Sequence, residues 1–594
     1  MLYPQDSETR EVKILDGIWR FRADLDGVAE TEAWHERPLV DAHPMPVPSS
    51  YNDLTQDVRV RDHIGLVYYE RELRIPAGWT DRRVVLRFGA VTHHAIVWLD
   101  GIECCRHKGG FLPFACDIGD RVRTGSVHRL TVAVDNRLDW TCLPPGELVD
   151  KDDADHAPGY QVQEIHFDFF NYAGIHRSVS LLGLPPAGIT AIRVETDCDG
   201  DIGLVDYRLT VERAVAAVTV TLENADGQVV AEGDGASGRL RVPAARLWRP
   251  RAAYLYTLVC RAVDAAGRCC DVYRQRVGIR SLRWDATGLR INGEPFYFRG
   301  FGKHEDADLR GRAFDPVVAI KDFELMRWIG ANSFRTSHYP YAEEMLQLAD
   351  EYGIVVIDEC PGVGMCKFRQ DRQPIFADDA QTRARRDHHV AVMQELVARD
   401  ANHPSVVMWS VGNEAATWEE GAPDYFRPVI DATRAADPTR PITLVAFAQP
   451  GECRVSELID IIGINRYPGW YTDPGHPEFI SRQFGRELQA WWQRFGKPLL
   501  ITEYGADTVA GVHADPPTMF SEEYQCAMLE AMHEAFDADE HVIGEQVWNF
   551  ADFRTKQGIN RVDGNRKGIF TRDRRPKMAA HLLRRRWLAA AETD

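Results

Sequence analysis

Apolar and polar positions change their rhythm along the chain. Early on, apolar stretches are short and closely spaced. Val84–Phe88 and Ala95–Leu99 are followed by an Asp100-Gly101 turn signal, and His128–Val134 alternates apolar with polar side chains. Alternation at a period of two turns one face of a strand toward a core. Short strands with frequent turns predict a sandwich or jelly roll. Leu184-Pro185-Pro186 breaks the pattern and marks a boundary. Beyond it, Val218–Leu222, an Asp226-Gly227 turn and Gln228–Ala231 read as a hairpin, with Leu255–Val259 as a further strand. About 90 residues of such strands predict an immunoglobulin-like sandwich.

From residue 281 onward short apolar strands alternate with longer helical stretches. The strands are Phe296–Gly300, Ser333–Ser337, Ile354–Asp358, Val406–Ser410, Ile442–Val445, Ile461–Asn465, Leu499–Thr502 and Ile543–Val547. Asp315-Pro316 can cap and start a helix that runs to Ile329, with Gly330 at its C-terminal stop. Ala342–Tyr352 and Thr382–Ala398 are also helical in composition. Eight β/α units predict a (β/α)₈ TIM barrel. The expected architecture is multidomain α and β: a jelly roll over residues 1–184, an immunoglobulin-like β-sandwich over 185–280 and the barrel over 281–594.

Composition narrows the function. A chain of 594 residues is too long for one core, and its 27% charged residues are ordinary for a globular protein. The formal net charge of −19 argues against nucleic-acid binding. The basic runs Arg383–Arg386 and Arg584–Arg586 read as solvated helix faces. No stretch approaches the roughly 20 apolar residues that cross a membrane, and the first residues lack the pattern of a signal peptide. The 12 cysteines show no paired zinc spacing, and no Asn-x-Ser/Thr acceptor occurs. Reduced thiols in a cytoplasmic protein, with no metal site and no cofactor, are expected.

Active sites of such barrels lie at the C-terminal ends of the strands. The fourth strand runs Met408-Trp409-Ser410-Val411-Gly412 into Asn413-Glu414. The seventh runs Leu500-Ile501-Thr502 into Glu503-Tyr504-Gly505. Each delivers a carboxylate to one rim, and two facing carboxylates suit glycoside cleavage, one protonated to donate and one ionised to attack. Their separation distinguishes retention from inversion; that distance is not in the sequence.

Long runs carry a resemblance. Thr9-Arg10-Glu11, Leu15-Asp16-Gly17, His166 to Arg177, His304 to Gly311, Thr336 to Tyr341, Trp548 to Phe553 and Gly568 to Arg572 together resemble glycoside hydrolase family 2 and, within it, the β-glucuronidases. The resemblance implies a sugar-binding jelly roll, an immunoglobulin-like sandwich and a catalytic barrel. It implies a retaining exo-acting hydrolase of terminal β-D-glucuronides, with Glu414 as acid/base, Glu503 as nucleophile and Asn413 on the sugar 2-hydroxyl. Asn565-Arg566-Lys567 matches the Asn-x-Lys signature for a uronic acid, and Arg561 a position near the acid. An ammonium pairs with the carboxylate and an amide adds direction.

Further positions carry over. Asp168 would reach in from the first domain to ring hydroxyls, and His338 would contact the sugar. Asn465, Tyr467 and Tyr471 would line the floor, with Tyr467 bonded to the nucleophile. Trp548 would offer an apolar platform. His304, Asp306 and Asp308 are read as braces of the rim. Pro468 and Ala415 stand where relatives often carry an aromatic and a proline, and Gly412 where they often carry alanine. The 360–380 segment, with Phe368, Ile375 and Phe376, lies where such loops vary most. A homodimer or homotetramer is implied by analogy. The alternatives are a β-galactosidase, β-mannosidase or β-galacturonidase of the same family, the first two without the Asn565 and Lys567 pair, and a carbohydrate-binding protein without catalysis.

Overall fold

The computed structural model describes residues 1–366 and 374–591, so Phe368 lies outside the described residues. The N-terminal part packs a six-stranded sheet on a four-stranded one. The larger sheet runs His43–Val47, Gly17–Ala23, Leu66–Arg74, Val127–Asp135, His94–Leu99 and Ile102–Lys108. The smaller runs Glu11–Ile14, Val179–Leu184, Arg83–Phe88 and Phe114–Asp117. Val132 lies opposite Tyr69 on one neighbour and Val97 on the other. These side chains, with Trp19, Phe21 and Leu86, fill the space between the sheets.

Cys105 and Cys116 are joined by a disulfide with their Cα atoms 6.0 Å apart. They sit on edge strands of different sheets, whose approach no sequence spacing reveals. The expectation of reduced thiols is corrected for this pair; Cys142, Cys260 and Cys360 are among the free, buried cysteines.

The second unit is a sandwich of a three-stranded sheet (Ile189–Asp199, Ile202–Val211, Ser237–Val242) and a four-stranded sheet (Val229–Asp234, Ala217–Glu223, Tyr256–Val263, Cys269–Val277). Its core holds Val205, Leu222, Leu258 and Cys260. Asn224 N donates to Gln228 O at 2.9 Å, and Gly227 adopts φ 78 in that turn, where a glycine has no Cβ to clash.

Eight parallel strands then close into a barrel: Phe298–Gly302, Ser333–Arg335, Val355–Glu359, Val406–Asn413, Ile442–Ala446, Ile461–Asn465, Leu499–Glu503 and Val542–Val547. They are numbered here as barrel strands 1 to 8. The first starts two residues later than the apolar pattern suggests. Phe296 ends a meander (Leu282–Asp285, Gly288–Ile291, Glu294–Phe296) whose Leu289 and Ile291 pack on Met408 and Leu500 of the barrel. The helix Pro316–Ile329 is capped by Asp315, whose carboxylate accepts from Val317 N and Val318 N, and it stops at Gly330 with φ 84. No helix among the described residues is long and apolar enough to cross a membrane.

Buried ion pairs lock the units together. Asp271 of the sandwich takes Arg10 Nη2 at 2.6 Å and Thr9 Oγ1 at 3.0 Å from the N-terminal segment. Arg177 of the jelly roll reaches Glu305 at 3.1 Å and Pro340 O at 2.6 Å on the barrel. Phe170 N donates to Arg554 O at 2.9 Å. That seam carries the neighbouring Asp168 over the barrel mouth.

Candidate active site

Barrel strand 4 ends at Asn413, and Glu414 turns out of it in the left-handed region, φ 52. Its amide is anchored on Val445 O at 3.0 Å. Its carboxylate accepts from Asn465 Nδ2 at 2.9 Å, the residue that ends barrel strand 6. Glu503 ends barrel strand 7 and takes two donors. Tyr467 OH reaches Oε2 at 2.6 Å, and Arg335 Nη2 reaches Oε1 at 2.5 Å. Asn413 Oδ1 accepts from Asn465 Nδ2 at 3.2 Å and from Arg335 Nη1 at 3.4 Å. Both glutamates therefore belong to one hydrogen-bonded cluster.

Arg335 is fully buried and was not picked out from the sequence. Its Nη1 donates to Glu359 Oε2 at 2.8 Å, and Glu359 also accepts from Ser410 Oγ at 2.7 Å and bonds His338 Nδ1 at 2.9 Å. Burial works against the charge on Arg335, yet Glu359 and Glu503 hold it above its ordinary value. Burial alone would raise Glu359, but Arg335, His338 and Ser410 outweigh it and keep the carboxyl below its ordinary value. Glu414 differs. Burial first, and the charge of Glu503 second, push its carboxyl up to about 7, against the pull of Asn465. Burial and both nearby carboxylates keep the Tyr467 phenol well above its ordinary value.

A second cluster lies beside the first. Lys567 is 1% exposed and Asn565 also 1%. The Lys567 ammonium pairs with Asp507 and donates to Tyr471 OH at 3.0 Å. It lies 5.6 Å from the centre of the Tyr467 ring, whose hydroxyl serves Glu503. Arg561 donates through Nε to Asp168 at 2.9 Å, through Nη1 to Asp507 at 3.4 Å and through Nη2 to Tyr471 OH at 3.1 Å. Asn565 Nδ2 donates to Asp168 Oδ2 at 2.8 Å. Two cations thus face two carboxylates, so the pocket offers fixed donors rather than a large net positive charge.

His338 and Trp548 stack at 5.1 Å with an interplanar angle of 22°, and His338 Nε2 is 3.8 Å from Glu503 Oε1. Tyr471 stands at the mouth, 56% exposed, rather than on the floor where Asn465 and Tyr467 sit. Asp306 accepts from Arg572 Nε at 2.6 Å, which ties the rim to the segment after barrel strand 8; Asp308 is exposed. All twelve residues expected at the site gather at this rim or its mouth. Arg335, Glu359 and Asp507 were missed. A signal was available for the first two, since charged side chains inside Ser333-Phe334-Arg335 and Val355-Val356-Ile357-Asp358-Glu359 have no place in an apolar barrel strand unless paired.

Sequence comparison bears on this geometry. The family described as "Glycosyl hydrolases family 2, TIM barrel domain" matches residues 284–591. Its "sugar binding domain" matches residues 12–185, and a third family-2 domain matches 187–280. The chain belongs to glycosyl hydrolase family 2. Of this hydrolase's relatives, a β-glucuronidase of Paenibacillus borealis is 51% identical over 587 residues, covering 99% of this chain and 98% of the relative. The solved β-D-glucuronidase of Dictyoglomus thermophilum superposes with TM-score 0.94 at 47% identity, covering 99% of each chain. The Ruminococcus gnavus β-glucuronidase in complex with uronic isofagomine gives TM-score 0.95 at 40% identity, covering 99% of this chain and 98% of that one. In this family-2 hydrolase a further cavity of about 1050 Å³ opens from Asn465, Tyr467 and Tyr471.

Proposed function

We propose that the chain is a retaining exo-β-D-glucuronidase. One observation carries this reading: Tyr467 bonds Glu503 at 2.6 Å while the Lys567 ammonium lies 5.6 Å from the same tyrosine's ring. A nucleophile and a cation that can meet a C6 carboxylate are thereby held within the span of one pyranose. The names of the full-length relatives support the same substrate class.

In this reading Glu503, paired with Arg335 and aimed by Tyr467, attacks the anomeric carbon. The C1–O bond breaks and Glu414 gives its proton to the departing oxygen. Forming the glycosyl ester removes the charge on Glu503, and with it one cause of the raised Glu414 carboxyl. Glu414 then takes a proton from water as the water attacks C1. The ester bond breaks, and β-glucuronic acid leaves with retained configuration. Asn413 would hold the 2-hydroxyl, a bond that strengthens as the oxocarbenium ion forms. Asn565, Lys567 and Arg561 would bind the uronate, His338 and Asp168 ring hydroxyls, and Trp548 the ring face. Labour divides as sugar-binding 1–184, bridging 185–280 and catalytic 281–594. The proposal extends to a cytoplasmic homodimer or homotetramer; light scattering that returns the monomer mass of 67.3 kDa would overturn the assembly.

The test is release of 4-nitrophenol from matched β-glucuronide, β-galacturonide and β-galactoside. The glucuronide is expected to turn over fastest, and a faster galactoside refutes the reading. Lys567→Ala should lower kcat/KM for the glucuronide by about 2–5 kcal/mol and that for a glucoside far less. Equal losses on both would make Lys567 structural only.

A further inference from the structure

At the end of the barrel where its strands begin, opposite the two glutamates, a cavity of about 420 Å³ lies between the sandwich and the barrel. The sandwich strands Ile189–Asp199 and Ile202–Val211 supply one wall, and the turns that enter barrel strands 4 and 5 supply the other. Arg280, in the link between the two units, lines this cavity and is only 5% exposed. Its Nε donates to Pro404 O at 2.6 Å and its Nη2 to Val406 O at 2.8 Å. Both acceptors are neutral carbonyls. Among the described residues, no carboxylate lies within ion-pair distance of Arg280, and its Nη1 has no protein partner.

The other charges around the cavity are already matched. Arg239 holds Asp206 at 2.7 Å and Arg283 holds Asp197 at 2.6 Å. Arg440 and Arg193 share Asp437, at 2.6 and 2.9 Å, and Arg193 also reaches Glu195 at 3.3 Å. Arg280 is thus a surplus buried cation, and a buried charge without a counter-charge is costly. Burial first, and the charge of Arg440 second, pull its guanidinium down to about 9, as expected of a cation that an anion would stabilise. Arg239, Arg280 and Arg283 enter the cavity from three segments: the strand Ser237–Val242, the link and the strand Leu282–Asp285. Donors from several directions suit a tetrahedral oxyanion better than a planar carboxylate with two oxygens. The volume exceeds that of the oxyanion alone and leaves room for a small polar body beside Trp284, which also lines the cavity.

We propose that this cavity is a binding site for a phosphate group, free as inorganic phosphate or carried on a small polar metabolite, with Arg280 as its buried anchor. The site stands apart from the glucuronidase reading and does not depend on it. The experiment is titration calorimetry of the full chain with inorganic phosphate, glucose 6-phosphate and acetate, each in chloride buffer at about 150 mM ionic strength. Both phosphate compounds should bind and raise the melting temperature; acetate should do neither. Arg280→Gln should weaken phosphate binding by at least about tenfold. That change also removes two bonds to barrel carbonyls, so Arg283→Glu, at the exposed rim, is the second variant; it should keep the fold by circular dichroism and weaken binding at least about tenfold. Tighter binding of glucose 6-phosphate than of phosphate supports a metabolite as the carrier, and equal affinities support the free ion. No phosphate binding to the full chain, or unchanged affinity in Arg283→Glu, overturns the site. Acetate binding as tightly as phosphate overturns the phosphate assignment.

Discussion

Glu414 and Glu503 are the same residue type in one cavity with different surroundings. Arg335 and Tyr467 both donate to Glu503, whereas Glu414 has one neutral donor, Asn465, and a charged neighbour. With its carboxyl at about 7, Glu414 keeps a proton to give near neutral pH, and kcat/KM should fall as pH rises through that value. Glu414→Gln should abolish the pH dependence together with most of the rate. A stability consequence follows from the same group. Its folded value lies above the ordinary 4.5, so the native state holds the proton more tightly. The stability this provides is complete below about 4.5 and is lost as pH rises through about 7, a loss of roughly 3 kcal/mol by pH 8. Glu414→Gln should therefore unfold at higher temperature than the parent at pH 8, with the gap shrinking toward pH 4.5. A gap that does not change with pH would show that the carboxyl is not desolvated.

At the scale of elements, the site depends on how closely barrel strands 7 and 8 approach beyond their ends. Trp548 N donates to Tyr504 O at 2.9 Å, and a Cβ on Gly505 would stand 2.2 Å from Trp548 O. A backbone oxygen cannot yield as a side chain can. Gly505→Ala should cost about 1–3 kcal/mol of stability and shift Glu503, lowering kcat with the fold retained by circular dichroism. Gly558→Ala is the control, since nothing lies within 4 Å of its added carbon. Similar melting temperatures for the two variants would refute the argument. The pocket cations depend on elements in the same way, because Asp507 after barrel strand 7 holds Lys567 and reaches Arg561 after strand 8.

For the whole molecule, the net charge of −19 opposes an anionic substrate, and the cations near the site are paired with Asp168 and Asp507. Salt screens the long-range repulsion more than short, fixed hydrogen bonds. Raising ionic strength from about 10 to 150 mM should increase kcat/KM for a glucuronide roughly two- to threefold and leave that for a glucoside flat. A fall with salt would show that the local cations dominate the approach. Asp168 also makes the jelly roll part of the site, since it bonds Arg561 and Asn565 of the barrel.

Periodicity alone carried the two β regions and the eight barrel strands, because burial on one face or both writes itself into apolar spacing. Strand ends at Asn413-Glu414 and Glu503 were legible for the same reason: a barrel exposes its chemistry at one rim. The resemblance supplied Asn565, Lys567 and Arg561. Tertiary structure decided what local pattern does not encode: that Arg335 and Glu359, buried in separate strands, neutralise each other beneath Glu503; that Asp507 holds Lys567; that Tyr471 stands at the mouth; and that Cys105 meets Cys116 across two sheets. Pairing between distant residues depends on how strands and loops are brought together in space, and apolar spacing records burial but not partner.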